Sequence, residues 1–268
     1  MLQHEFITNA KAHPDKFAIV DKTTGNDLSY GRALLASLIL SRRFRKLERG
    51  RIGIMLPTGS GAALAVVGSL MAGLTPVMIN YSTGANKNCH YAQGKCDFKT
   101  IITARALLER VGCAELPEMV FIEDILASLG GMEKSLALVK SKLPIGLIKK
   151  LCGKSDLKSP AVILFTSGSE KDPKVVQLTQ QNLLSNINSF SDMMDVRSME
   201  NLLAVLPFFH VFGLTIHLWT PLCLGMTSIS YANPLDFKTI AQIIKEPVSY
   251  THLRAHETVL DLVCRLLL

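Results

Sequence analysis

Apolar and polar positions alternate between two patterns along the first half of the chain. Short apolar runs of strand length occur at residues 17–21, 51–56, 75–80, 99–103 and 118–122. Between them, the segment after Tyr30 has apolar residues at helical spacing, and the run of small residues at 59–72 predicts a helix that can approach a sheet closely. Gly50 and Gly73 mark the ends of these two helices. The repetition of strand, helix and strand predicts an α/β fold with doubly wound, mostly parallel sheets and flanking helices.

Residues 130–160 interrupt this alternation. They contain seven lysines against two acidic residues, Glu133 and Asp156, and apolar residues are interleaved throughout. A basic amphipathic insertion of this kind can lie on an anionic membrane surface or on an acidic carrier protein. A solvated helical linker between subdomains is the alternative interpretation, and the sequence leaves both open.

Composition narrows the class of protein and the kind of partner. An apolar content of 48% favours a substantial core and argues against disorder. The net charge of +7 fits phosphate-bearing or acidic partners or an anionic membrane, and a solvated basic face is the alternative. Basic residues are not interleaved with aromatic ones, so we expect no nucleic-acid partner.

The cysteines and the uncharged stretches bear on localisation. No cysteine lies in a C-x-x-C pair and the first residues have no apolar signal core, which predicts reduced thiols and a cytoplasmic protein. Residues 52–86 and 202–235 carry no charge, and a membrane span is one interpretation of each. Prolines, glycines and histidines interrupt them, so buried strands and helices of an α/β core are the interpretation we adopt.

A polar loop of nine residues follows the apolar run at 161–165. It reads TSGSEKDPK and extends from Thr166 to Lys174. Three hydroxyl side chains, a glycine and a closing lysine in so short a loop can direct N–H and O–H groups at phosphate oxygens and supply a positive charge. The Walker pattern of phosphate loops is different, because it needs G-x-x-x-x-G-K-[ST]. Residues 175–179 then predict a strand and Gln181 opens a helix.

A second block, LPFFHVFGLT at 206–215, places His210 in an apolar run. An imidazole near a carboxylate can orient it and moderate its charge. His217 has no such motif around it and is interpreted as a packing residue. His90 and Cys89 are adjacent but have no partners at metal-ligand spacing, so we predict no metal ligands.

The two blocks resemble motifs of the adenylate-forming enzymes, the superfamily of acyl-CoA synthetases and luciferases. There the motifs usually read T-S-G-[ST]-[TSE]-G-x-P-K-G and L-P-[LF]-F-H-x-[FY]-G, and in this chain Lys171 and Val175 replace the usual glycines. The stretches ILFTSGSE, LPFFHVFGLT, MINYSTGA and YANPLDF are most similar to the acyl–acyl-carrier-protein synthetase moiety of bifunctional 2-acylglycerophosphoethanolamine acyltransferases.

This resemblance implies a site and a reaction. Its phosphate loop would bind ATP, and a histidine equivalent to His210 would border the pocket for the acyl carboxylate. Lys174 would act in catalysis by offsetting phosphate charge. A fatty acid would become an acyl-adenylate and then a thioester of acyl carrier protein or CoA, with Mg²⁺ as cofactor and peripheral association with the inner face of the cell membrane. The residues implied to bind the nucleotide phosphates are Thr166, Ser167, Gly168, Ser169, Glu170 and Lys174.

The sequence at the end of the chain predicts a boundary between native and non-native residues. The letters VSYTHLRAHET at 248–258 and LVCRLLL at 262–268 resemble, in frame, two blocks of a translated transposase-type sequencing adapter. We therefore interpret residues 248–268 as a non-native tail. Residues 1–247 would be an incomplete N-terminal large domain of an adenylate-forming enzyme, with the insertion at 130–160 and no preceding acyltransferase domain. The family's magnesium-placing glutamate, ribose-binding aspartate and C-terminal lysine have no counterpart before Pro247, so we expect this chain alone to be inactive.

Overall fold

The computed structural model describes residues 1–166, 173–196 and 200–245. The strands of these ranges are β1 (Phe17–Asp21), β2 (Leu28–Ser29), β3 (Arg51–Ile54), β4 (Thr75–Met78), β5 (Ile101–Thr103), β6 (Met119–Phe121), β7 (Pro160–Phe165), β8 (Val175–Thr179), β9 (Asn201–Ala204) and β10 (Thr227–Ser230). The predicted tail at 248–268 lies outside the described residues.

Helices alternate with these strands. They are α1 (Leu2–Ala12), α2 (Tyr30–Leu47), α3 (Ser60–Ala72), α4 (Ala85–Cys96), α5 (Arg105–Val111), α6 (Ile122–Ala127), α7 (Gly131–Lys142), α8 (Ile145–Leu151), α9 (Gln180–Met194), a π-helix (Gly213–Trp219), α10 (Thr220–Leu224) and α11 (Phe237–Lys245). No helix within the described ranges combines the length and the apolar character needed to cross a membrane.

The strands form two separate sheets, and the predicted α/β class is confirmed. The first has the order β2-β1-β10-β9 and the second the order β6-β5-β3-β4-β7-β8. Six neighbouring pairs are parallel, while β1 with β2 and β7 with β8 are antiparallel. The sheets are thus mostly parallel, as predicted, and each carries an antiparallel strand at one edge.

Helix α3 is packed between α2 and both sheets, contacting β1 of the first sheet and β3 and β4 of the second. Its small residues allow this, because a Cβ atom at Gly68 would lie only 2.9 Å from Cβ of Leu40 on α2. The helix begins where Asp21, at the end of β1, accepts hydrogen bonds from the N–H and hydroxyl of Ser60 at 2.8 and 2.9 Å. It ends at Gly73 in the left-handed conformation with φ of 80°.

Long-range hydrogen bonds fix the N-terminal helices. The Gln180 side chain accepts from the Leu2 N–H at 2.9 Å and donates to Gln3 at 3.1 Å, which docks α1 on the start of α9. The buried Tyr30 hydroxyl lies 3.0 Å from the carbonyl oxygen of Pro221 and 2.8 Å from that of Met226. Together these contacts join the N-terminal helices to elements about two hundred residues later in the chain.

Candidate functional site

Strands β7 and β8 form a hairpin whose connection contains the predicted phosphate loop. The antiparallel pairing ends at Phe165 and Val175. Beyond it, the Thr166 N–H donates to the Lys174 carbonyl at 3.0 Å, and the Lys174 N–H donates to the Thr166 hydroxyl at 3.3 Å. Both residues are exposed to solvent. The hairpin therefore fixes the backbone of Lys174 and leaves its ammonium group accessible, while Ser167, Gly168, Ser169 and Glu170 lie outside the described residues.

Tyr91 of α4 holds the end of this loop from the side. Its hydroxyl donates to the carbonyl oxygen of Pro173 at 2.6 Å. Its ring meets Phe165 edge to face at a centroid distance of 5.9 Å, and the Lys95 ammonium lies 5.7 Å from the ring centroid. The residue before Lys174 is thus held by a side chain about eighty positions earlier in the chain.

The histidine motif forms a tight turn after β9. Phe208 and Phe209 are buried and His210 is exposed at the corner, where its N–H donates to the Pro207 carbonyl at 3.1 Å. The π-helix starts at Gly213 directly behind this turn, and a Cβ atom at Gly213 would overlap the carbonyl oxygen of Pro207. The glycine in the motif is therefore required for the backbone to pass behind the histidine.

Tyr81 connects the two motifs. It follows β4, and its ring meets Phe209 edge to face at 4.8 Å, with His210 in turn 4.5 Å from Phe209. Strand β4 pairs in parallel with β7, so Tyr81 and Thr166 leave the second sheet at the same edge. Carboxyl ends of parallel strands are where α/β proteins bind ligands. The structure thus brings the histidine motif of the first sheet to the phosphate-loop edge of the second.

An open apolar cleft of about 360 Å³ lies between α9 and the residues after His210. The Thr215 hydroxyl is buried there and has no hydrogen-bond partner among the described residues. Seven further side chains, mostly apolar, complete the lining: Asn186, Ser189, Phe190, Met193, Val211, Phe212 and Ile216. The cleft can accept an apolar group beside the histidine motif.

The two histidines of this region have different environments. Desolvation lowers the pKa of His210 below its ordinary value, although its side chain still reaches solvent. Full burial lowers the pKa of His217 to about 4. The His217 Nδ1 accepts from the Leu206 N–H at 3.2 Å, which confirms the packing role predicted for it. A neutral His210 can donate or accept a hydrogen bond next to Val211 and Phe212, which line the cleft.

Sequence reasoning missed Tyr81, Tyr91 and Thr58 as parts of this region. Thr58 follows β3, and its hydroxyl lies 3.4 Å from the carbonyl oxygen of Leu206, just before the histidine turn. The signal for Tyr81 and Thr58 was their place directly after predicted parallel strands. No comparable signal marks Tyr91, because its partner is a backbone oxygen of a distant loop.

Comparison with known proteins identifies the family of this chain. The family model described as "AMP-binding enzyme" matches residues 6–262. Sulfoacetate–CoA ligase of Cupriavidus necator is 25% identical over 224 residues, covering 79% of this chain and 41% of that protein. Long-chain-fatty-acid–CoA ligase of Bacillus subtilis is 26% identical over 246 residues, covering 80% and 43%. The chain thus spans about two fifths of the length of these curated relatives.

Solved structures share the fold. The o-succinylbenzoate CoA synthetase of Bacillus subtilis, in complex with an acyl-adenylate intermediate, has a TM-score of 0.72 at 15% identity and covers 90% of this chain and 46% of its own. The inhibitor-bound N-terminal domain of FACL13 from Mycobacterium tuberculosis has a TM-score of 0.73 at 19% identity, covering 91% and 60%. The architecture is that of the N-terminal domain of adenylate-forming enzymes.

Proposed function

We propose that this chain, which belongs to the AMP-binding enzyme family, is part of an ATP-dependent fatty acid ligase. The observation that supports a fatty acid as the substrate is the apolar cleft beside the histidine motif. The exposed Lys174 lies at the edge of the second sheet from which Tyr81 also leaves. A carboxylate at the mouth of the cleft would meet the triphosphate between these two features.

The reaction would run in two steps. A carboxylate oxygen of the fatty acid attacks the α-phosphate of ATP, and the bond to pyrophosphate breaks. A thiol then attacks the acyl carbonyl, and AMP leaves. The chain's contribution would be positioning and charge neutralisation, with His210 orienting the carboxylate and Lys174 offsetting phosphate charge.

Binding of ATP and of Mg²⁺ is also part of this proposal. Thr166 and Lys174 fit a phosphate ligand, because both are exposed at the end of the β7–β8 hairpin, where β7 leaves its parallel neighbour β4. We propose that Ser167, Gly168, Ser169 and Glu170 complete the cradle. Within the described ranges no three His, Cys, Asp or Glu side chains form a metal-binding group. We propose Mg²⁺ as the metal cofactor, with most of its site in the part of the domain that follows residue 247.

The thiol acceptor is acyl carrier protein or CoA in this proposal. The motif wording similar to the synthetase moiety of bifunctional acyltransferases supports the carrier protein, whereas the curated relatives are named CoA ligases. We also propose a cytoplasmic location, peripheral to the inner face of the cell membrane. Single-turnover transfer from acyl-adenylate to each purified thiol would separate the two acceptors.

Pyrophosphate exchange into ATP that depends on fatty acid tests the proposal in a full-length enzyme containing this sequence. We expect His210→Ala to raise the KM for the fatty acid much more than the KM for ATP, because His210 adjoins the cleft. His90→Ala, an exposed histidine on α4, is the matched control. Exchange that is equally fast without fatty acid, or with short acids only, would contradict the assigned substrate.

A second candidate is that residues 1–268 alone bind nucleotide phosphate weakly and catalyse nothing. It is supported by the small share of the relatives' length that the chain spans. Isothermal calorimetry with ATP, together with an exchange assay on this chain, tests it. Exchange by the chain alone would refute the second candidate and leave the first intact.

A further inference from the structure

Helix α7 presents an apolar stripe to solvent. Met132, Leu136 and Val139 follow one another at helical spacing of i, i+4 and i+7, so they lie on one face. They are 87%, 38% and 62% exposed. A solvated linker helix places polar residues on its outer face, whereas α7 exposes these three apolar side chains in addition to its lysines.

The stripe is held outward by specific contacts on the other side of the helix. Ala137 is the buried residue of α7 and packs toward α2. Arg43 of α2 forms two hydrogen bonds with the Glu133 carboxylate, at 2.8 and 2.5 Å, and a third with the Ser128 carbonyl at 3.1 Å. The Lys11 ammonium also reaches the Ser141 carbonyl at 3.1 Å. Helix α7 is therefore fixed with this face toward solvent.

Helix α8 repeats the arrangement on a smaller scale. Ile148 is its buried residue, while Leu147 and Leu151, four positions apart, are 47% and 36% exposed. Arg45 fixes its end by donating to the Leu151 carbonyl at 2.7 Å. Two consecutive helices thus expose leucine, methionine and valine side chains. Each helix buries one residue, Ala137 in α7 and Ile148 in α8.

Cations surround these apolar side chains. On the helical wheel Lys140 and Lys142 lie on either side of the α7 stripe, and Lys150 lies beside Leu147 on α8. Arg42 and Lys46 of α2 are near enough to Glu133 to help lower the pKa of its carboxyl, after the larger effect of Arg43. The only acid of α7, Glu133, is neutralised by its ion pair with Arg43. The surface combines exposed apolar groups with an excess of positive charge.

We propose that this α7–α8 face, residues 131–151, is a peripheral binding surface for a bilayer rich in anionic phospholipid. The stripe would enter the boundary between headgroups and acyl chains, and the flanking lysines would contact lipid phosphates. An acidic carrier protein would pair with the lysines, but ion pairing would leave the apolar side chain of Met132, 87% exposed, in water. The surface rests on the membrane-peripheral location proposed above but not on the ligase activity, since its test measures binding only.

Co-sedimentation of the whole chain with two kinds of vesicle tests the proposal. Vesicles of phosphatidylcholine and phosphatidylglycerol in equal parts should retain the chain, and vesicles of phosphatidylcholine alone should retain much less. Binding should weaken as salt rises. Lys140→Glu with Lys142→Glu should reduce the partition coefficient at least tenfold, because each cation lost near an anionic surface is worth about fivefold.

Matched variants separate the surface from general charge and apolarity. Met132→Ser with Val139→Ser should lower the partition coefficient about as much as the charge variant, whereas Leu235→Ser, equally exposed at 75% on another part of the chain, should not. Lys87→Glu on α4 is the control for charge. These side chains are exposed, apart from the half-buried Lys140, and none is in the core, so unchanged unfolding midpoints are expected.

Four outcomes would overturn the proposal, the first three of which concern partners and controls. These three are absence of binding to anionic vesicles, equal loss of binding in the control variants, and retention by an acidic acyl carrier protein without retention by lipid. The variants leave residues 248–268 untouched, so binding through that segment would persist in them and would also count against the proposal.

Discussion

On the scale of single residues, the hydrogen bonds between Thr166 and Lys174 fix the lysine backbone while its ammonium group stays exposed. Replacing Lys174 with Ala in a full-length enzyme should lower pyrophosphate exchange by roughly 10²–10³, because the triphosphate loses a preorganised cation. Initial rates at saturating fatty acid and ATP measure this. Lys87→Ala, an exposed lysine on α4, serves as the control, and near-normal exchange in Lys174→Ala would mean that this loop is not the phosphate cradle.

His217 couples the fold to pH. Its pKa is lowered to about 4 by burial, from an ordinary value of 6.5. Above pH 6.5 neither state is protonated at this residue and its contribution is constant. As pH falls from 6.5 toward 4, the unfolded chain takes up a proton that the folded chain does not. Stability should therefore fall by up to about 3 kcal/mol over that interval and change no further below it.

Urea unfolding followed by Trp219 fluorescence measures this, since Trp219 is the single tryptophan and is fully buried beside His217 in the π-helix. His217→Asn keeps an acceptor for the Leu206 N–H and removes the titration. The difference in unfolding free energy between the two proteins should change with pH between pH 6.5 and 4. Parallel curves would show that His217 titrates normally in the folded protein.

On the scale of elements, the π-helix depends on Gly213. A methyl group there would overlap the backbone oxygen of Pro207, which cannot move without opening the histidine turn. Gly213→Ala should destabilise the chain by about 1–3 kcal/mol. Gly94→Ala, on a helix whose glycine faces open space, should instead stabilise it slightly. Relative to the unchanged chain, the urea midpoint should fall in Gly213→Ala and rise slightly in Gly94→Ala. Equal midpoints in the two variants would contradict the prediction.

The elements that the sequence predicted correctly are those with a complete local signal. Helix α2 has a regular apolar stripe and a Ser29 cap, and α3 ends at a glycine in the left-handed conformation. Helices α1 and α4 were not predicted. α1 is short and is stabilised by hydrogen bonds to Gln180, far along the chain. α4 has little apolar periodicity and contains Gly94.

On the scale of the whole molecule, the class of fold followed from local patterns but the division into two sheets did not. Ile19 of β1 pairs with Ser228 of β10, a contact across most of the chain for which the sequence has no local signal. The same holds for the candidate site. Motif spelling identified Lys174 and His210, whereas Tyr81 was recognised only once its ring was placed against Phe209. Assignments of phosphate and carboxylate roles to these residues remain predictions.

The C-terminal segment poses the last question at this scale, because two observations give opposite expectations. The letters at 248–268 resemble a translated adapter, while the family match continues to residue 262. If the segment is non-native, it adds no packing to the domain, and a chain ending at residue 247 should unfold at the same temperature and urea concentration as the full chain. If residues 248–262 belong to the domain, their loss should expose apolar surface and lower the unfolding midpoint clearly.

We expect equal midpoints for the chains ending at residues 247 and 268, measured side by side by circular dichroism. A chain ending at residue 236 is the control, since it removes the described helix α11 with its buried Ile240 and Ile243. That deletion should cost several kcal/mol, because two isoleucines are lost from the core. A drop in midpoint on deleting residues 248–268 comparable with that of the control would show that the segment is part of the native fold, whatever its resemblance.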